Sequence, residues 1–336
     1  MPDPGDLLGV DDAPGYLRRR GVIGSEESVT VEELTGGVSN VVLAVSSEER
    51  AVICKQSLPR LRVSDVWLAD RTRILAEADA LRLTGELTPA HVPAVLDSDE
   101  SYCTLSIEHA PAGWIDWKRR LLAGEIDRRI GRLLGHVLAR WQNSTRDGAG
   151  LSDRLQRYDA FDQLRIDPYH RTVARRHPGQ AAAIEAVIAE MAGRRNCLTH
   201  GDFSPKNVLV DPHGDGVWVI DFEVAHLGDP AFDVAFLLSH LLLKSLHLPD
   251  RLTDLAGCGL DFAAAWGSEV EPALHPGWPA ISRQLGCLLL ARVDGKSPAE
   301  YLGAEARDRA FALGSAMLAD PPATAAAIWA DREAMP

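Results

Sequence analysis

Three oxygen-bearing side chains are predicted to meet at one end of a short hairpin. Asp202 precedes the hairpin, Asn207 stands at the start of its first strand, and Asp221 closes its second strand. Carboxylate and amide oxygens suit Mg²⁺, which usually takes one or two protein ligands together with substrate phosphates. A further carboxylate nearby can orient a hydroxyl and accept its proton. These groups are the minimum that phosphoryl transfer needs, since positioning and charge neutralisation dominate that reaction.

Each of these three residues, taken alone, is more simply explained as a turn or capping residue. The complete pattern fits that explanation poorly. The segment H-G-D-x-x-x-x-N at 200–207 is followed at short distance by apolar-apolar-D-F-E at 219–223. This combination favours a functional site over a set of unrelated turns.

The segments HGDFSPKN and VIDFE resemble the catalytic loop and the metal-binding strand of the aminoglycoside phosphotransferase-like family, which has the protein-kinase-like fold. The resemblance implies that Asp202 is the catalytic base and that Asn207 and Asp221 are magnesium ligands. It also implies that ATP and Mg²⁺ are the cofactors and that a small molecule supplies the hydroxyl.

Other residues of this region bear on the kind of kinase. Ser204 stands two residues after Asp202, where protein kinases carry a lysine, and we expect it to belong to the nucleotide site. Glu223 stands where most kinases have glycine, and it would hold a metal-bound water or a second magnesium. By resemblance, Asp233 would tether the catalytic loop. The short segment 221–233 leaves no room for a long regulatory activation segment.

The nucleotide site must come from the elements upstream. The runs SVTVEEL, VVLAV and RAVICKQ indicate strands, and residues 65–84 have apolar positions at helical spacing. Lys55 closes the strand AVICK, and Glu77 lies inside the following helix. In a kinase-like fold an ion pair between them would hold Lys55 toward the α- and β-phosphates. A solvated helix face is an equal alternative for Glu77.

Main-chain groups are expected to contribute to the nucleotide site at two places. Gly36, Gly37 and Ser39 lie in the turn TGGVSN between two strands, where backbone N–H groups could face phosphates. A plain hairpin turn would have the same composition. At the end of the last strand, the resemblance implies that Glu108 and Ala110 bind adenine through their main chain.

The predicted fold class is α+β, a two-lobed protein-kinase-like fold. A small antiparallel sheet forms the N-terminal nucleotide-binding lobe, 1–110, and a mainly helical C-terminal lobe, 111–336, carries catalysis and substrate binding. The composition changes at the boundary, in the segment APAG. Helical spacing in the second lobe predicts helices at 124–143, 180–193, 231–247, 260–267, 278–293 and 303–317.

Within the family the chain is most similar to the methylthioribose kinase branch. The similarity rests on Asp-Phe-Glu, on the run KQSLPRLRV after the strand lysine, and on Arg292 in a late helix. That branch binds its substrate with paired arginines, whereas Ala291 and Val293 flank Arg292 here. We therefore expect a related sugar or polyol as the hydroxyl acceptor. A cation favourably placed at a helix C-terminus is the alternative for Arg292.

The segment AGWIDWKRR follows the lobe boundary, where the acceptor cleft should open. Trp114 and Trp117 would stack on a sugar face there, and Asp116 would take a hydroxyl or a cationic amine. The alternative is that one or both tryptophans are core anchors of the helical lobe.

The composition excludes several classes of protein. A formal net charge of −13 over 336 residues argues against a nucleic-acid binder, which needs clustered Lys and Arg. The acidic N-terminus lacks the apolar region of a signal peptide, and the longest apolar run is interrupted by polar residues. We therefore expect a cytoplasmic protein without a membrane span. The five cysteines form no C-x-x-C pair and favour structural thiols. A homodimer remains open.

Rival functions make different demands on the sequence. An aminoglycoside O-phosphotransferase would suit the acidic charge, but the acids of 303–336 are scattered rather than clustered. A non-catalytic nucleotide-binding module would be expected to lose one of Asp202, Asn207 or Asp221, and all three are present. A protein serine/threonine kinase is disfavoured by Ser204 and by the short segment after Asp221.

Overall fold

The computed structural model describes residues 6–35, 37, 39–48, 50–62, 69–213 and 216–334. Its N-terminal part is built on an antiparallel sheet with the strand order β1-β2-β3-β5-β4. The strands are β1 Thr30–Glu33, β2 Asn40–Ser46, β3 Ala51–Ser57, β4 Val95–Asp99 and β5 Thr104–Glu108. The apolar and β-branched residues of β2 and β3 explain why these two strands are almost wholly buried.

A helix packs on each side of the central strands. Helix α1 Ala13–Arg19 buries Tyr16 and Leu17 in a small core with Val41 and Leu43 of β2. Helix α2 Arg73–Leu87 follows β3 and belongs to a second, larger core. The helix predicted over 65–84 therefore begins later than expected, after residues 69–72 that are not helical.

The remainder of the described chain is mainly helical. Its helices are α3 Trp117–Leu122, α4 Arg128–Ser144, α5 Asp159–Phe161, α6 Thr172–Arg176, α7 Pro178–Gly193, α8 Pro230–His247, α9 Leu252–Glu269, α10 Trp278–Asp294, α11 Ala304–Ala319 and α12 Ala325–Glu333. Helices α4 and α9 approach closely because Gly131 and Gly135 lack side chains. A Cβ at either glycine would come within 2.5 Å of a carbonyl oxygen of α9. Most predicted helices are present, but the one predicted at 260–267 is far longer.

Helices α3, α5, α6 and α12 had no counterpart among the predicted helices, and neither had the segment between α5 and α6. Residues Asp162–Arg171 form a π-helix that continues α5 and leads into α6, and it contains Pro168. π-Helical turns are uncommon and often mark functional sites. This one brings a basic side chain to the catalytic loop.

The predicted hairpin is present inside the helical region. Strand β8 Val208–Val210 pairs antiparallel with β9 Val217–Val219, and β6 Ile115–Asp116 adds to the other edge of β8. Strand β7 Cys197–Thr199 pairs with β10 His226–Gly228. The large core runs from α2 and β5 into the helical part without a break, so the boundary at residue 110 stays a prediction.

Candidate active site

A lysine of β3, a glutamate of α2 and an aspartate that follows β9 lie close together. Lys55 Nζ of β3 lies 2.7 Å from Glu77 Oε1 of α2, so the predicted ion pair is present. The same ammonium lies 3.6 Å from Asp221 Oδ1, just after β9. Lys55 and Glu77 are buried. The solvated helix face is therefore the wrong explanation for Glu77.

The charges in this cluster support one another. Burial opposes the ammonium, but Glu77 and Asp221 together raise the pKa of Lys55 above its ordinary value. Burial likewise opposes the Asp221 carboxylate, and nearby Lys55 and Lys206 hold its pKa below the ordinary value. Asp221 also has φ +70, a strained conformation for a non-glycine residue that often accompanies function.

Three side chains contact the Asp202 carboxylate through the same oxygen, Oδ2. Its Oδ2 lies 2.8 Å from Arg165 Nη2 of the π-helix and 2.9 Å from Lys206 Nζ. Asn207 Nδ2 donates to the same oxygen at 2.9 Å and to the Asp202 carbonyl at 3.0 Å. Although burial favours the neutral acid, Arg165 and Lys206 hold the pKa of Asp202 well below its ordinary value. The group is therefore a carboxylate near neutral pH.

Asp233 of α8 holds the backbone of the loop that contains Asp202. Its two carboxylate oxygens accept hydrogen bonds from the backbone N–H groups of His200, at 2.7 Å, and Gly201, at 2.9 Å. The predicted tether is therefore confirmed. Gly201 has φ +76 and passes so close to Val224 that a Cβ would come within 2.9 Å of it. Only glycine satisfies both conditions without strain.

His200 is a structural residue of the loop. Its Nε2 contacts the Ile220 carbonyl at 3.1 Å, and its Nδ1 accepts the Asp202 backbone N–H at 3.1 Å. Burial lowers the pKa of His200 to about 4, so the ring is neutral, with the proton on Nε2. The ring thus joins the loop that contains Asp202 to Ile220, which directly follows β9 and precedes Asp221.

The donor set around Asn207 and Asp221 fits magnesium. The Asn207 amide nitrogen donates to Asp202, which leaves its side-chain carbonyl oxygen as an acceptor. Among the described residues, no cluster of three or more His, Cys, Asp or Glu side chains could hold a metal ion. Two oxygen ligands completed by nucleotide phosphates are the usual arrangement for Mg²⁺.

Glu223 is engaged by other residues of the fold. Its Oε2 lies 3.2 Å from Arg73 Nε and 3.3 Å from Asn40 Nδ2. Arg73 also donates to the carbonyl oxygens of Ser39 and Leu58. Glu223 therefore connects the loop after Asp221 to α2 and to the first residue of β2. Its role as a metal ligand stays a prediction.

Two adjoining cavities open on this arrangement. The Asp221 cavity, of about 360 Å³, is also lined by Gly37, Ser39, Arg165 and Glu223. The Asp202 cavity, of about 520 Å³, is also lined by Lys118, His240, Arg292 and Tyr301. The two cavities share Tyr169, Lys206, Ser297, Pro298 and Glu300 in their walls. Asp202 and Asp221 thus face neighbouring compartments, as transfer between two bound molecules requires.

Of the other residues predicted for the nucleotide site, only some line the Asp221 cavity. Gly37 and Ser39 line the Asp221 cavity, and Gly36 lies outside the described residues. Ser204 is fully buried, and its Oγ has no partner among the described residues. Glu108 ends β5 with an exposed side chain, and the Ala110 carbonyl accepts from His109 Nδ1 at 2.6 Å.

The predicted acceptor residues do not come together. Arg292 of α10 lines the Asp202 cavity. Trp117 is fully buried in the large core, which fits the core-anchor alternative. Trp114 packs on Trp218 of β9, with ring centroids 5.4 Å apart. Asp116 caps α3, because its Oδ1 accepts a hydrogen bond from the Arg119 backbone N–H at 2.9 Å. Its carboxylate therefore already has a partner within the first turn of α3.

Sequence reasoning missed several residues of the site. Arg165 reaches it from a π-helix whose spacing carried no signal. Arg73 lies in the helix predicted over 65–84, but the spacing did not show that it faces the site. Lys118 and Tyr301 reach the cavity wall through tertiary packing. Only Lys206 had a detectable signal, because it lies within the catalytic-loop segment four residues after Asp202. That position is one helical turn away, within reach of the carboxylate.

Comparisons with known proteins point to one family. The sequence model of the phosphotransferase enzyme family (APH) matches residues 30–282. Methylthioribose kinase 1 of Oryza sativa subsp. japonica is 29% identical over 258 residues, a match that covers 68% of this chain and 59% of that protein. The chain thus spans about three fifths of the length of this curated relative.

Solved structures share the fold. An amicoumacin kinase in complex with AMP-PNP, Ca²⁺ and Ami has a TM-score of 0.54 at 15% identity, covering 93% of this chain and 95% of that one. An ethanolamine kinase of Plasmodium vivax has a TM-score of 0.54 at 10% identity, covering 95% and 93%. The predicted protein-kinase-like fold is thereby confirmed. No helix of the described chain has both the length and the apolarity to cross a bilayer.

Proposed function

We propose that this chain, which belongs to the phosphotransferase enzyme family (APH), transfers the γ-phosphoryl group of ATP to a hydroxyl of a small molecule. The observation that carries the proposal is the pair of adjoining cavities. One presents Asp221 beside the Lys55–Glu77 pair, and the other presents Asp202 held by three donors on a single oxygen. A nucleotide in the first cavity and an acceptor in the second would meet between these carboxylates.

Each side chain has a role that follows from its surroundings. Lys55 is fixed by Glu77 and neutralises negative charge on the nucleotide phosphates. Asn207 and Asp221 would hold Mg²⁺, which would supply further neutralisation of the nucleotide phosphates. The donors on Asp202 Oδ2 leave Oδ1 to accept a hydrogen bond from the acceptor hydroxyl. Because its pKa is low, Asp202 mainly orients the hydroxyl and takes its proton late, as the new bond to phosphorus forms.

We further propose a sugar or polyol as the acceptor class. The methylthioribose kinase relative supports it, and Arg292 on the wall of the Asp202 cavity is placed to donate hydrogen bonds to hydroxyls. The tryptophans are not used in this proposal, because Trp117 lies in the core and Trp114 packs on Trp218.

An acceptor screen with Mg²⁺ and ATP tests the activity. We expect acceptor-dependent ADP release with sugars, polyols or sugar acids, and none above background for Asp202→Asn. Asp254→Asn serves as the matched control, because Asp254 is a surface residue paired with Arg251 at 3.1 Å. Release that is equal in Asp202→Asn and in the native chain contradicts the proposal. Release with aminoglycosides alone contradicts the acceptor class.

A further inference from the structure

The Asp202 cavity has a basic wall in an acidic protein. The chain carries 48 acidic and 35 basic residues, yet Lys118, Lys206 and Arg292 line this cavity against Asp202 and Glu300. Lys206 is already paired with Asp202. No carboxylate of the described residues lies within ion-pair distance of Lys118 or Arg292. Two cations therefore face the cavity without a neutralising partner from the described chain.

Arg292 is oriented by neutral groups only. Its Nη1 donates to the carbonyl and, at 2.9 Å, to the hydroxyl of Ser297. Its Nε is buried and has no hydrogen-bond partner among the described residues. Because Ser297 carries no charge, these contacts fix the direction of the guanidinium and leave its charge and one donor for another group.

Tyr301 presents a second unpartnered group at the same wall. Its hydroxyl is buried and makes no hydrogen bond within the described chain. Burial raises the pKa of Tyr301 to about 12, so the hydroxyl keeps its proton and can donate. Burying such a group without a partner costs roughly 1–3 kcal/mol, a cost that a bound acceptor atom would remove.

A third basic side chain, Lys244, lies next to Tyr301 of this wall. Lys244 of α8 is fully buried, with its Nζ 5.5 Å from the centre of the Tyr301 ring and 3.4 Å from the His240 carbonyl. Burial, together with nearby Lys118 and Arg292, lowers the pKa of Lys244 to about 7. The charges of Lys118 and Arg292 disfavour protonation of Lys244, and Asp116 opposes that effect. A negative charge in the cavity would act in the same direction as Asp116.

The residues of this basic wall lie outside the cavity proposed for the nucleotide. Lys118, Arg292 and Tyr301 line the Asp202 cavity and do not line the Asp221 cavity. Nucleotide phosphates in the Asp221 cavity would be neutralised by Lys55 and by the metal. The basic wall thus serves whatever molecule presents its hydroxyl to Asp202.

We propose that this acceptor carries an anionic group, either a carboxylate or a phosphate ester, which Arg292, Lys118 and the Tyr301 hydroxyl bind while its hydroxyl meets Asp202. The inference rests on the proposed function and narrows its acceptor class to an acidic sugar or polyol. A polycationic acceptor would meet like charges at this wall, and a neutral polyol would leave both cations unpaired.

Three compounds with the same six-carbon chain separate the charge from the skeleton. Glucitol is neutral, gluconate adds a carboxylate, and glucitol 6-phosphate adds a phosphate ester. Calorimetric titration of each into the protein is expected to give at least about tenfold tighter binding for one or both anions. The carboxylate and the phosphate arms show which anion the wall prefers.

Variants then assign the binding to the wall. We expect Arg292→Gln to remove the preference for the anion and Tyr301→Phe, which deletes only the hydroxyl, to weaken it several-fold. Arg309→Gln is the matched control, because Arg309 pairs with Glu305 on the surface of α11 at 2.7 Å. It should leave binding unchanged. Melting temperatures of all variants exclude a loss caused by unfolding.

Two outcomes overturn the inference: binding of glucitol as tight as that of both anions, and anion binding that survives Arg292→Gln. ADP release is measured separately on the same compounds. Release with neutral acceptors alone would keep the proposed kinase and overturn the anionic acceptor. Anion binding that depends on Arg292 without any ADP release would keep the anion subsite and contradict the kinase.

Discussion

Arg165 offers a test of how the Asp202 carboxylate, the proposed catalytic base, is held. The structure joins Arg165 Nη2 to Asp202 Oδ2 at 2.8 Å and Arg165 Nε to the Gly201 carbonyl at 2.8 Å. In Arg165→Met the carboxylate keeps Lys206 and Asn207 but loses one of its three donors. A hydrogen bond to a charged group contributes about 1.5–3 kcal/mol. If that orientation matters in the transition state, kcat should fall about 10- to 100-fold, with little change in nucleotide affinity.

The same variant should change pH dependence and stability in defined directions. Removal of the guanidinium destabilises the charged form of Asp202, so the pKa of Asp202 rises. The acidic limb of the pH profile of kcat/KM should therefore move to higher pH. Loss of one partner of a buried ion pair costs about 3–5 kcal/mol of unfolding free energy.

Arg175→Met is the control for Arg165→Met, because Arg175 forms an exposed pair with Asp167, a kind of pair that contributes about 0–1 kcal/mol. Steady-state kinetics across pH, ATP titration and urea unfolding make the three measurements. A folded Arg165→Met that binds ATP and retains native kcat would refute this reasoning.

Three further changes test other parts of the structure. Lys55→Met should reduce kcat at least about 100-fold and leave Glu77 unpaired, so that urea midpoints fall as well; native kcat would contradict the assigned role. The pKa of Lys244 is about 7 in the folded chain and about 10.4 in the unfolded chain. Between these two values the unfolded state binds more protons than the folded state. The free energy of unfolding should therefore rise with pH in this range, by at most about 1.4 kcal/mol per pH unit. Urea titrations at pH 7, 8 and 9 should show that rise in the native chain and a smaller one in Lys244→Met, and equal slopes would contradict the depressed pKa. Trp117→Ala should cost about 3–5 kcal/mol of stability, measured by urea unfolding, and a loss below about 1 kcal/mol would return Trp117 to the candidates for acceptor binding.

Local patterns predicted the centre of the site. Asp202, Asn207 and Asp221 belong to one hairpin and its flanking loop, so their spacing along the chain nearly determines their spacing in the fold. The Lys55–Glu77 pair could be anticipated because a strand followed by a helix has few ways of packing, and the resemblance supplied the rest. The strands of the antiparallel sheet and the long helices of the second part followed from the same periodicities, whereas the order of the strands was not predicted.

Tertiary contacts determined the remainder. Arg165 lies in a π-helix containing Pro168, where neither helical periodicity nor a turn signal applies. The basic wall combines Lys118 of α3 with Arg292 of α10 and Tyr301, which lie more than a hundred residues later in the sequence. In the segment AGWIDWKRR the aromatic residues suggested the cleft, yet Trp117 points into the core and its neighbour Lys118 lines the cavity. Which face of a short helix is buried depends on its neighbours, and six residues give too little periodicity to show it.

Transfer of the labelled γ-phosphoryl group from ATP to an acceptor in a single turnover tests the central claim most directly. The native chain and Asp202→Asn would be compared at equal occupancy by ATP, with the acceptor chosen from the screen. The account predicts labelled acceptor with the native chain, a rate at least about 100-fold lower with Asp202→Asn, and similar ATP affinity in both. Equal transfer rates in the two proteins would contradict the assignment of Asp202 and the mechanism built on it.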